Sequence, residues 1–472
     1  MRRLLIKNAD YIATFDHQNR EIRDAYLLAA GNRIEEIGAM DAWVPRPVDK
    51  VIDATGKIVL PGLINVHHHL FQTLTRVLPE NQRGDIFEWL RFLYPVWYGL
   101  GPEIVYRSFQ VGIGELLLSG CTTTLDHFFM FPRRQSGLFD EGIRAAKDLG
   151  IRFHPVRGSM TVLEGRLSDE LKKMGIHVSE ILESEEDVLV NTKHAIEQFH
   201  DPSPFSMCRV GLGPSAIPYG RTDFLKSHKK LATDHSLLCH THLHPRIDER
   251  PWALRTTGLG PLEYLEQAGW LGPRTSLAHV TAFEKSDIEI LARTGTGVAH
   301  CPSSNLRVGY GIAPLPQMME AGVSVGIGVD GSAANDTGDM VGELRLALLL
   351  HRGKGVHAGL TPEKWATPRE ILHLATKGGA QILGREEIGS LERGKAADIV
   401  IFDRNRIDFL GSEKDPLASL ILCGLSHRVD ISIINGEIVV EKGELVRCSE
   451  RTILEEGRKA ARELLSTSSS GG

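Results

Sequence analysis

The chain has 472 residues, a formal net charge of -6, 42% hydrophobic residues and 24% charged residues. The length exceeds one ordinary compact domain but suits a barrel of roughly 250 to 400 residues with a smaller module attached, and the composition excludes a disordered chain. The charge balance offers no basic footprint for nucleic acid, and no run approaches the roughly 18 apolar residues of a membrane span.

The start, Met1 to Asp16, has an apolar run broken at Lys7, Asn8 and Asp10, so no signal peptide is expected and a cytoplasmic location follows by default. Residues 1 to 58 alternate short β-type runs with turn signals, as in Tyr26 to Ala30, Gly31-Asn32, then Arg33 to Ile37. From residue 59, short apolar runs alternate with segments at helical spacing, the pattern of repeated βα units and a parallel sheet. Eight strands are expected: Val59 to Val66, Cys121 to Leu125, Arg152 to Val156, Arg209 to Leu212, Ser236 to His240, Thr275 to Ala278, Gly297 to His300 and Val323 to Val329. Val105, Phe109, Ile113 and Leu117 share one helical face, with Gly120 placed to stop that helix before the next strand. The β pattern returns at Asp398 to Phe402 and in a hairpin, Ile431 to Ile434, Asn435-Gly436, Glu437 to Val440.

These elements predict an α/β chain. Residues 59–385 form a (β/α)8 barrel, 1–58 and 386–447 pair into one small β-module, and 448–472 hold a helix and a disordered tail, Ser466 to Gly472. The six cysteines lack CxxC spacing, which argues for reduced thiols and against a thiolate zinc site.

In such a barrel the chemistry gathers where strands end, and polar residues stand there: His67 and His69, Asp126 and His127, Arg157, His242, His279 and Asp330. His67 and His69 are two apart, so both can turn toward one ion. Taken alone, that pair reads equally as surface or capping histidines, and His279 alone reads as a hydrogen-bonded core histidine. Four strand ends each offering a metal-competent residue favour a metal, because buried imidazole and carboxylate cost stability unless paired. Three neutral imidazoles and one carboxylate around an open position make a catalytic zinc or iron site, where a bound water's pKa falls toward about 7. Asp330 can orient that water and take its proton, and His279 can polarise the substrate or hold a tetrahedral intermediate.

The run Pro61-Gly62-Leu63-Ile64-Asn65 followed by His67-x-His69, then His242, His279 and Asp330, with Gly389 to Val400 near the end, resembles the amidohydrolase superfamily. His69-Leu70-Phe71-Gln72, His300 to Asn305, Gly311 to Pro314 and Asp330 to Asp336 resemble its branch of 8-oxoguanine deaminase and s-triazine hydrolases. The resemblance implies a (β/α)8 TIM barrel, a small β-sandwich formed by both termini, and one divalent metal, Zn2+ with Fe2+ or Mn2+ as alternatives. It implies His67, His69, His242 and Asp330 as metal ligands, Asp330 also as the group that activates water, and His279 as a substrate-side electrophile. By the same matching, Gln72 and Asn305 contact substrate, and Trp89 walls the pocket or is a plain helix core residue.

One position departs from the pattern. Where the resemblance implies a proton-shuttling glutamate three residues after His242, this chain has Pro245, which carries no titratable group. His244, Asp248 and Glu249 are the neighbours that could replace it, against the plainer reading of solvated loop charges; Glu249 is the residue expected in the catalytic set. The expected reaction is hydrolytic deamination of an oxygenated aminoheterocycle, such as an 8-oxoguanine-like purine, a pterin or an s-triazine. Cleavage of a cyclic amide or of a triazine alkylamine is the second reading, and an inactive amidohydrolase-like scaffold the third. A homo-oligomer, dimer or larger, is expected.

Overall fold

The computed structural model describes residues 2–217, 220–243, 249–424 and 428–468. Eight parallel strands run in chain order around a barrel: Leu63–Asn65, Cys121–Phe128, Arg152–Ser159, Gly211–Pro214, Cys239–Leu243, Thr275–His279, Gly297–His300 and Val325–Ile327. Closure between the first and eighth comes from the Val66 amide donating to the Ile327 carbonyl at 2.9 Å and the Asp330 amide donating to the His67 carbonyl at 3.0 Å. This second bond brings two residues of the prospective site against each other through the backbone alone. Ile64, Val66, Leu125, Val156, Ala278 and Ala299, in or next to the barrel strands, form one buried apolar cluster, giving the polar cluster a dry, packed floor.

The sequence's first strand, Val59 to Val66, is divided at Gly62. Lys57–Pro61 pairs with Ile399–Asp403 and Arg3–Ala13, whereas Leu63–Asn65 opens the barrel. A continuous apolar run hides this change of sheet, because both halves are buried on two faces. The fourth and fifth strands lie two to three residues later than expected, at Gly211–Pro214 and Cys239–Leu243. Pro102–Leu118 forms the helix predicted there, begins with a proline in its first turn, and is followed by Gly120 at φ +91°.

The two ends of the chain make a separate nine-stranded sheet, in which Ile399–Asp403 lies antiparallel beside Lys57–Pro61 with Val400 opposite Leu60. Ile6, Ile12, Leu27, Val59, Ile399 and Ile433 belong to its own apolar core. The Asn435-Gly436 hairpin has both central residues at positive φ, +53° and +83°, as a type I′ turn requires. A C-terminal helix, Glu450–Ser468, runs two residues past Ser466, where a disordered tail is expected, and Leu464 is fully buried on its apolar face. No helix of the described residues is long and apolar enough to cross a membrane, and the six cysteines are free.

Candidate metal centre and active site

His67 and His69 follow the first strand, His242 lies in the fifth, His279 ends the sixth, and Asp330 stands three residues beyond the eighth. All five side chains are buried. Their ligand atoms converge: within each of the sets His67, His69, Asp330 and His67, His242, His279, the atoms lie within 4.8 Å of one another. Asp330 Oδ1 is 3.3 Å from Nε2 of both His67 and His69, while Oδ2 is 3.8 Å from His279 Nε2.

Partners on the outer ring nitrogens decide which lone pairs point inward. His69 Nδ1–H donates to the His127 carbonyl at 2.7 Å, and His242 Nδ1–H donates to the Ser215 carbonyl. Both therefore present bare Nε2 atoms, which face each other at 2.9 Å. His67 Nδ1 is 2.7 Å from His240 Nε2, and His240 Nδ1 is 2.6 Å from Ser276 Oγ. A chain of N–H donors directed outward to Ser276 satisfies both rings and leaves His67 Nε2 without a hydrogen-bond partner.

This donor set fits a divalent ion. Bare nitrogens and a carboxylate oxygen at such spacing are electron-rich and mutually repulsive without a cation between them. Bonds of about 2.0 to 2.1 Å to a tetrahedral zinc place neighbouring ligand atoms roughly 3.3 Å apart, the separation that Asp330 Oδ1 keeps from both histidines. Burial holds His67 and His242 well below the ordinary imidazole range, outweighing the opposing pull of Asp330. Burial alone would raise Asp330, but His67, His279 and His69 together reverse that and keep its carboxyl well below the ordinary range. Neutral imidazoles and an ionised carboxylate are the forms that bind metal.

The backbone at the site is strained. His279, Val280 and Asp330 adopt φ of +79°, +44° and +65°, costing about 1–3 kcal/mol each for residues with side chains. At Gly331 a Cβ would collide with the Gln72 amide and press on His69, so a side chain there would displace Gln72 from its place in the cavity wall.

A cavity of about 580 Å³ opens on this cluster, lined among others by His69, Gln72, Trp89, His242, Glu249, His279, Tyr310 and Asp330. Gln72 is buried, and its Oε1 has no hydrogen-bond partner within the protein. The helix Ile86–Trp97 packs Trp89 edge-on against Trp97 at 5.3 Å; its Nε1–H donates to the Ala333 carbonyl at 3.0 Å, and it also lines the cavity. Glu249 is buried at the start of the helix Glu249–Thr257 and lines the same cavity, whereas His244, Pro245 and Asp248 lie outside the described residues.

Asn305 stands beside His279, with Oδ1 2.8 Å from His279 Nδ1, and is not among the residues lining the cavity. Its helix, Pro302–Arg307, directs it at the imidazole. Two participants were passed over in the sequence. His240 carries the outer nitrogen of His67, and the signal for it was its spacing: it is two residues before His242, on the same side of one strand. The ring of Tyr310 meets His279 edge-on at 5.4 Å, from a loop without periodicity to expose it.

The model of the amidohydrolase family matches residues 58–439. The 8-oxoguanine deaminase of Pseudomonas aeruginosa is 35% identical over 466 residues, covering 98% of this chain and 100% of that protein. The hydroxydechloroatrazine ethylaminohydrolase of Pseudomonas sp. (strain ADP) is 38% identical over 402 residues, covering 84% and 80%. A solved atrazine chlorohydrolase from Arthrobacter aurescens, complexed with zinc, is similar at 34% identity with a TM-score of 0.90, over 97% of this chain and 100% of that one. The chain belongs to the amidohydrolase family.

Proposed function

We propose that this metal-dependent hydrolase removes an exocyclic amino group from an oxygenated aminoheterocycle, with an 8-oxoguanine-like purine as the leading substrate class. The observation that carries this reading is the division of labour within Asp330: Oδ1 faces His67 and His69, and Oδ2 faces His279 beside the cavity. A divalent ion, zinc in the first instance, supplies acidified water when bound by His67, His69, His242 and Asp330.

The protein's own groups then handle the protons. The water oxygen bonds to the ring carbon that bears the amine. One water proton passes to Asp330 Oδ2 and on to the adjacent ring nitrogen; the second goes to the amino nitrogen as the C–N bond breaks, leaving a carbonyl and ammonia. His279, whose Nδ1–H is held by Asn305, presents Nε2 on the cavity side 3.8 Å from Oδ2, where it faces the substrate oxygen or nitrogen at the reacting carbon. Gln72 Oε1 accepts a hydrogen bond from the heterocycle, and Trp89 stacks or edges against its face. Glu249 takes the shuttle role that Pro245 cannot fill, since it is the buried carboxylate on the cavity wall nearest in sequence.

A direct test is ammonia release by the zinc-loaded enzyme from 8-oxoguanine, isoxanthopterin and aminotriazines, with product mass read in parallel. Ammonia equal to substrate lost is the expected result; no turnover of any of them at full zinc occupancy overturns it. The second reading, release of an alkylamine from a hydroxylated alkylaminotriazine, is favoured by the 38% identity to the ethylaminohydrolase, and ethylamine without ammonia identifies it. Glu249→Gln is expected to lower kcat about 100-fold, within the range for a lost general acid, with little change in KM. Wild-type kcat in that variant removes Glu249 from the mechanism.

A further inference from the structure

Behind the metal-facing residues lies a buried carboxylate with no role in the scheme above. Glu343, on the helix Met340–His357, is 2% exposed and points away from solvent into the junction between two loops. One of its oxygens accepts the Ser303 backbone N–H at 2.8 Å; the other accepts the Ser303 hydroxyl and, at 3.2 Å, the Asn335 side-chain amide. These partners belong to different loops. Ser303 opens the short helix that carries Asn305, and Asn305 Oδ1 holds His279 Nδ1 at 2.8 Å. Asn335 uses the same amide nitrogen to grip the Val329 carbonyl at 2.6 Å, the peptide group immediately before Asp330.

We propose that Glu343 is a positioning residue that fixes His279 and Asp330 relative to each other, through Ser303 and Asn305 on one side and Asn335 and Val329 on the other. Elementary energetics makes this a demanding place for a carboxylate. A buried acceptor left with fewer donors costs about 1–3 kcal/mol per lost bond, more when charged. A helix core position offers apolar alternatives that need no partners. The two residues it connects also have positive φ, +79° at His279 and +65° at Asp330, so each needs outside support to keep its conformation. Their facing atoms lie 3.8 Å apart beside the cavity, and a displacement of about 1 Å between such groups costs up to about 100-fold in rate.

The kinetic arm of the test rests on the hydrolytic reading of this site, and a second arm does not. Glu343→Gln keeps an acceptor for the Ser303 N–H but turns an amide N–H toward Asn335; Glu343→Met removes every acceptor; Asn335→Ala and Ser303→Ala each remove one strut at a half-buried position and guard against a helix variant that fails to fold. With 8-oxoguanine, kcat is expected to fall about 10-fold in Glu343→Gln and about 100-fold in Glu343→Met, with KM within about threefold and one metal per chain retained. In an Asn305→Ala/Asn335→Ala background the same Glu343→Gln change should cost almost nothing further, because the paths to His279 and to Asp330 are both already cut. Additive losses in that cycle overturn the proposal. Independently of any substrate, cobalt(II) loaded in place of zinc reports the environment of Asp330. Its visible spectrum is expected to change in Glu343→Gln and Asn335→Ala, and superimposable spectra in folded variants overturn the proposal even if 8-oxoguanine is not turned over by the parent enzyme.

Discussion

Asp330→Asn is expected to reduce turnover by about 10⁴-fold or more while the chain stays folded. The substitution is nearly isosteric, and its carbonyl oxygen can still accept the Gly331 N–H that Asp330 Oδ1 accepts at 2.7 Å. What it removes is charge at two points at once. At Oδ1 the anionic ligand facing His67 and His69 becomes a neutral amide oxygen, and at Oδ2 a proton acceptor becomes an N–H donor pointed at His279 Nε2. Loss of a positioned general base alone costs about 10²- to 10⁴-fold, and a weakened ion adds to it. Metal content, thermal midpoint and kcat measured on one preparation separate these effects: zinc retained with activity gone assigns the loss to proton handling, and zinc lost with activity gone assigns it to ligation. Full activity with zinc bound would remove Asp330 from both roles.

Much of this site is legible in the sequence because its residues stand where a barrel's strands end. His67, His69, His242, His279 and Asp330 each follow a short apolar run, and the closed sheet brings those ends together whatever the exact boundaries. Alternation along a strand did further work, since it put His67 and His69 on one side. The same rule applied to His240 and His242 would have exposed the support behind His67. The less regular parts were harder to read. The motif around Asn305 marks it as near the site, but a motif does not state which way a short helix turns, and here its Oδ1 meets His279 Nδ1. The break at Gly62 was hidden because Ile58 to Leu60 and Leu63-Ile64 are apolar on both sides of it and differ only in which sheet receives them. The Glu343 junction joins residues 303, 335 and 343 through side-chain hydrogen bonds that no periodicity encodes.

The largest stability effect is expected away from the chemistry, where the third barrel strand meets the terminal sheet. Arg152 is fully buried, and its guanidinium makes a two-point contact with Asp398, Nε to Oδ2 at 2.8 Å and Nη2 to Oδ1 at 2.9 Å. Its remaining nitrogen donates to the carbonyls of Phe205 and Ser206 at 2.8 and 2.7 Å. Asp398 also accepts the Asn435 N–H at 2.7 Å, so one carboxylate joins barrel strand, hairpin and terminal sheet. Arg385 lies alongside, with burial and the nearby charges of Arg152 and Arg209 lowering it to about 10. Removing Asp398 therefore leaves one buried guanidinium unpaired beside another. Asp398→Leu is expected to destabilise the folded chain by about 3–5 kcal/mol, the usual cost of breaking a buried pair from one side. The double variant Arg152→Met/Asp398→Leu should recover part of that loss, because the stranded charge leaves with its partner. Denaturant unfolding of the zinc-loaded proteins measures both quantities, and a double variant less stable than Asp398→Leu alone would show that Arg152 stabilises this junction through its carbonyl contacts and packing and not through the ion pair.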